Sequence, residues 1–111
     1  MDMDTQGLIL DHYEQVRQIS LQMLCAARES NLEALVAGER RCAAVIARLR
    51  ILGDDTRILN KPAKKRANEI IRAILAHDAE IRDLTQPWLR QLETHMGTSR
   101  MTRKVAAAYR P

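Results

Sequence analysis

The sequence predicts an all-α fold: an antiparallel bundle of three long helices, with a short C-terminal helix folded back on the third. Two observations lead there. Phe is absent, Trp88, Tyr13 and Tyr109 are the only aromatic residues, and there are 4 Gly in 111 residues, a composition poor in what sandwiches and barrels need. Apolar residues also recur at steps of three and four over long stretches, the period of helices buried along one side. The length is that of one domain, residues 1–111, with a modest core.

The first helix is expected over about residues 5–29. Ile9, Tyr13, Val16, Ser20, Met23 and Ala27 follow one another at steps of 4, 3, 4, 3 and 4. Ser30-Asn31-Leu32-Glu33 then matches the S-x-x-E capping box and opens a second helix over about 31–52 almost without a loop. So short a connection makes the two antiparallel neighbours. The second helix presents Leu32, Leu35, Cys42, Ile46 and Leu49, with Glu39 on the same apolar stripe and Gly38 beside it. Gly53 is placed to end it, and "GDDTRILNK" forms a loop in which Ile58 and Leu59 tuck against the bundle.

Asn60 or Lys61, ahead of Pro62, starts the third helix, expected over about 62–96 with a kink near Pro87. One seam consists of Ala67, Ile70, Ile74, Ile81, Leu84, Trp88 and Leu92. A second stripe about 90° away holds Ile71, Leu75, Asp78, Arg82, Thr85 and Leu89. A single hairpin partner cannot bury both. This helix also outruns the other two, and register sets Leu84 near the turn joining them. Gly97 provides a further turn, and a fourth helix is expected over about 99–109, with Met101, Val105 and Tyr109 on one face. Eleven residues are too few for a helix to persist undocked in water, so docking alone would hold it.

Charge excludes several classes of function. Of the 18 basic residues, 14 lie in 1–93 beside all 14 acids, so the net charge of +4 comes from Arg100, Arg103, Lys104 and Arg110. The first fourteen residues are acidic, with Asp2, Asp4, Asp11 and Glu14. A neutral body argues against direct nucleic-acid binding. A second basic cluster, Arg57, Lys61, Lys64, Lys65 and Arg66, opposes the macrodipole at the start of the third helix and hints at an acidic partner surface. No apolar run approaches the ~20 residues of a membrane span, and the acidic start lacks a signal peptide's basic region, so a soluble, cytoplasmic protein without membrane insertion is expected. In a reducing compartment Cys25 and Cys42 are expected to be unpaired, small core or boundary residues.

Catalytic and metal chemistry find little support. His12, His77 and His95 lie on different levels without ligand spacing, and there is no Gly-rich phosphate loop or nucleophile elbow. Neither cofactor nor metal is implied, and the expected protein is not an enzyme. A small mutase-type enzyme using Glu39 with bundle arginines, and a regulatory nucleic-acid-associated helical module, stand as alternatives. The first requires a closed polar cavity holding several arginines.

Taken in order, "LILDHYEQVRQISLQMLCAARESNLEALVAGERRCAAVIARLR", "IIRAILAHDAEIRDLTQPWLRQLE" and "RKVAAAY" resemble the flagellar export chaperone FliT family over most of the chain. The residues that carry the likeness are Tyr13-Glu14, Glu39-Arg40-Arg41, Ile74-Leu75, Asp78 with Ile81, and the terminal Ala108-Tyr109. The resemblance implies a cytoplasmic chaperone that binds the C-terminal segment of the filament-cap protein FliD. Delivery then follows to the export apparatus with its ATPase FliI and FliJ, and in some bacteria the family also restrains the master regulator FlhDC. A homodimer is compatible with the pattern. On this reading Ile71, Leu75 and Leu89 take a client helix, Asp78 and Arg82 orient it, and Met101, Val105 and Tyr109 form a C-terminal gating helix that competes with it.

Overall fold

The computed structural model describes residues 3–53 and 59–95. Three helices make up the architecture: α1 (Met3–Arg28), α2 (Leu32–Leu52) and α3 (Lys61–His95). The expected fourth helix, with Met101, Val105 and Tyr109, lies outside the described residues.

Helix α1 is the centre. Both α2 and α3 pack along it, and their backbones do not pack on each other. Chain direction follows from side-chain pairs at successive levels. The Asn60 N–H donates to Gln6 Oε1 at 2.8 Å, Ser20 Oγ meets His77 Nδ1 at 2.8 Å, and Arg28 pairs with Glu80 at 3.0 Å. Residue number rises together on both helices, so α1 and α3 are parallel and α2 runs opposite to both. The Arg28–Glu80 level also puts the end of α3 beyond the α1–α2 turn, as the register of the sequence implies. At 1.5 Å per residue, the 35 residues of α3 span about 50 Å.

The α1–α2 turn differs from the capping box read in the sequence. Ser30 has φ 56°, the left-handed conformation, and follows α1 as its terminating residue. The Asn31 N–H donates to the Ala26 carbonyl at 2.8 Å and the Ser30 N–H to the Ala27 carbonyl at 3.1 Å, a Schellman arrangement. Asn31, not Ser30, then caps α2, its side chain accepting from the Ala34 N–H at 3.1 Å. A serine held left-handed cannot also take the extended backbone of a cap, and the adjacent asparagine can. Gly53 ends α2 at φ 83°, and Asn60 caps α3 by accepting from the Ala63 N–H at 2.9 Å. Pro87 sits inside α3, which continues to His95. Proline has no N–H to donate to the carbonyl of Asp83 four residues earlier, and Asp83 is exposed, where water can serve that carbonyl.

The core consists of two clusters at opposite ends. Near the α2–α3 loop, Ile9, Leu49, Leu59, Ala63 and Ala67 are buried together, with Tyr13 and Leu52 against them. Near the α1–α2 turn, Met23, Leu24, Ala27, Leu35, Ile81 and Leu89 form the other, flanked by Leu32, Leu84 and Trp88. Leu59 is therefore buried against the bundle, as the sequence suggests, whereas Ile58 lies outside the described residues.

Candidate functional site

Between the two core clusters α2 and α3 stand apart on α1 and leave an open cleft of about 320 Å³. Val16, Ser20 and Met23 of α1 form its floor. Glu39, Cys42, Ala43 and Ile46 of α2 make one wall, and Ile74, Asp78 and Ile81 of α3 the other. The lining is mainly apolar, with one carboxylate on each wall and no arginine. That is the environment of an amphipathic helix bearing an apolar stripe and cationic flanks.

Local chemistry fixes the floor. Ser20 is buried, and its hydroxyl donates to the Arg17 carbonyl at 2.7 Å. With its one proton committed there, Oγ accepts from His77 Nδ1, which ties α3 to α1 beside the cleft. Gly38 lets α2 approach α1 closely: a Cβ at this position would lie 3.1 Å from Met23 Sδ and closer still to Met23 Cγ. Cys42 Sγ sits 3.9 Å from the same sulfur. Burial pushes the Cys42 thiol above its ordinary pKa, and the Glu39 and Asp78 carboxylates push it further by disfavouring a thiolate near them. Asp78 is paired with Arg82 at 3.5 Å on the rim.

The residues proposed from the sequence as a client surface do not all share one surface. Ile71 is half-buried, and Leu75 is 61% exposed on the flank of α3 next to Ile74. Asp78 lines the cleft and Arg82 stands outside it in their ion pair. Leu89, with Thr85, belongs to the interior instead: the two are 5% and 0% exposed. Buried positions at the upper end of α3 advance by fours, Ile81, Thr85, Leu89, and each step of four turns the contact face by about 40°. The second stripe thus rotates into the core over its upper half and remains outward only over its lower half.

The α2 wall was not legible as a site. The sequence placed Cys42 and Ile46 on the seam with α1, yet Val45 is the buried residue there and Ile46 is 37% exposed towards the cleft. Glu39 on an otherwise apolar stripe was the available signal, because a carboxylate on a seam means the seam is open at that level. Cys25 is exposed and Cys42 half-buried, both free thiols. Among the described residues no three potential metal ligands come together, and no helix is long and apolar enough to cross a membrane.

A three-helix bundle whose middle opens into a mainly apolar cleft has the geometry of a small helical binding module. The family comparison agrees. The model described as "Flagellar protein FliT" matches residues 10–111, and the chain belongs to the FliT family, whose members are non-enzymatic flagellar export chaperones. No curated protein and no solved structure matches significantly. The mutase alternative finds no support in the cleft, which is open and holds Glu39 without a bundle arginine.

Proposed function

We propose that this chain is a cytoplasmic chaperone that holds the C-terminal segment of the filament-cap protein FliD in the cleft between α2 and α3. Bound there, the client is kept from premature assembly and passed to the export apparatus through FliI and FliJ. The observation that carries the reading is the cleft itself, an apolar floor of Val16 and Met23 between Ile46 on one wall and Ile74 on the other. An apolar helix face seated on it removes those side chains from water, at about 25 cal/mol per Å² of apolar surface covered. Ile71 and Leu75 extend the apolar surface along α3, and Asp78, Glu39 and Arg82 set the client's register by charge. Met101, Val105 and Tyr109 carry the apolar face of a segment that competes for the same surface, and restraint of FlhDC is a second output of that competition.

The test is binding of a peptide from the C-terminus of the host's own cap protein, read by calorimetry. Ile46→Glu puts a charge on the cleft wall at a position already 37% exposed, so the fold tolerates it. It is expected to weaken binding by about tenfold or more, the equivalent of burying a poorly paired charge at a cost of about 1–3 kcal/mol. Leu21→Glu, on a 41% exposed residue of α1 outside the cleft, is expected to leave binding unchanged. Equal loss in both variants, or none in either, would remove the cleft from the account.

A further inference from the structure

A second surface lies on α3, apart from the client cleft. Lys61, Lys65, Asn68 and Arg72 follow at steps of 4, 3 and 4 along one stripe of α3, and Lys64 adjoins it. With Glu69 they line a shallow open cleft of about 360 Å³. All four cations are exposed, and none has an ion pair among the described residues. Arg66 differs, since it is paired with Glu14 at 3.5 Å and with Glu69 at 3.7 Å, which also occupies the acid nearest the stripe. The first turn of α3 holds no acidic residue.

This arrangement is unfavourable to the chain on its own. Lys61 and Lys65 repel each other at i, i+4, and cations in the first turn oppose the macrodipole, each effect a few tenths of a kcal/mol or more. We infer that the stripe Lys61, Lys64, Lys65 and Arg72 is a docking surface for an acidic polypeptide segment, distinct from the client cleft. Its four cations run about 17 Å along the helix, and a segment with carboxylates repeating at helical spacing neutralises them together.

The residues between argue against other polyanions. No aromatic side chain occurs from Lys61 to Arg72 on which a base could stack. Of the apolar residues of that stretch, Ala63, Ala67 and Ile70 are buried against the bundle and Ile71 is half-buried on the side of the client surface, so no broad apolar face accompanies the cations into a lipid surface. The stripe ends one turn before Leu75, beside the α3 wall of the client cleft. An acidic partner here and a client in the cleft can therefore be held on one helix at once.

The experiment measures binding of a fluorescein-labelled, glutamate-rich helical peptide to the full chain by anisotropy at low salt. Two variants are compared, K61Q/K64Q/K65Q/R72Q and the control R40Q/R48Q/R50Q, which removes three exposed arginines from α2. The stripe variant should bind about tenfold or more weakly, as follows from losing several exposed charge pairs of about 0.2–1 kcal/mol each, and the control should bind like the parent. The stripe variant should also melt at a higher temperature, since it relieves the repulsion and the dipole conflict, which guards against a loss caused by misfolding. Equal weakening in both variants overturns the proposal. So does tighter, stripe-dependent binding of a single-stranded oligonucleotide or of phosphatidylserine vesicles than of the peptide. The Ile46→Glu variant should bind the acidic peptide normally, so failure here and failure of the client cleft are separable.

Discussion

Gly38 is where stability and client binding meet, and replacing it with alanine puts a number on the meeting. Two effects oppose each other in Gly38→Ala. Alanine stabilises an interior helical position by about 0.5–1 kcal/mol relative to glycine. Against this, the new methyl would stand 3.1 Å from Met23 Sδ and closer to Cγ, and Met23 is itself only 5% exposed. The clash involves the middle of the Met23 side chain, which cannot simply swing its end away. Overpacking of this kind costs about 1–3 kcal/mol, so the net expectation is a loss of about 1 kcal/mol. For a domain of this size that lowers the melting temperature by about 4–8 °C, read by circular dichroism. Because Met23 also forms the cleft floor, client affinity should fall with it. A double-mutant cycle isolates the cause: in a Met23→Ala background the clash is gone, and Gly38→Ala should become stabilising. A Gly38→Ala variant more stable than the parent in the Met23 background would refute the close approach of α2 to α1.

Further outcomes can be measured independently. Ser30→Gly should raise stability by up to about 1 kcal/mol, because Ser30 holds φ 56° where glycine is not strained, and Asn31→Ala should lower it by about 1 kcal/mol through loss of the α2 cap; chemical denaturation measures both. Maleimide should label exposed Cys25 well before Cys42, whose thiol is pushed up by burial and two nearby carboxylates, and bound client should slow the Cys42 reaction further without affecting Cys25. Hydrogen bonding from Arg17, aided by its charge and that of Arg66, holds Glu14 below its ordinary pKa. Its stabilising contribution is therefore present above the unfolded-state value and lost as pH falls through the folded one, so Glu14→Gln should flatten the acid limb of the stability profile. Removal of residues 96–111 should tighten binding of at least one partner, measured by calorimetry; unchanged affinities for all of them would dispose of the gate.

The helices were legible because their periods are long and their breaks carry distinct chemistry. The six α1 positions from Ile9 to Ala27 chosen by spacing are all buried or half-buried, and Gly53 and Asn60 end and start their helices as their chemistry requires. The turn at Ser30 was misassigned because a serine that closes a helix and one that opens the next have the same local sequence. Only the backbone angle separates them. On α3 two apolar stripes coexist, and sequence cannot say which is covered at each level. Steps of four from Ile81 onwards carry Thr85 and Leu89 inward, while Leu75 stays outside. The cleft was the least legible feature, since it depends on α2 and α3 diverging across α1, a relation no single helix encodes. Only Glu39, a charge on an apolar seam, recorded it.

Titrating the isotopically labelled chain with the cap-protein C-terminal peptide and mapping the methyl shifts decides whether the client sits between α2 and α3. Val16, Ile46, Ile74 and Ile81 should move most, with Met23 alongside them. Shifts concentrated instead on Leu8 and Leu21, exposed on α1 and outside the cleft lining, would contradict it.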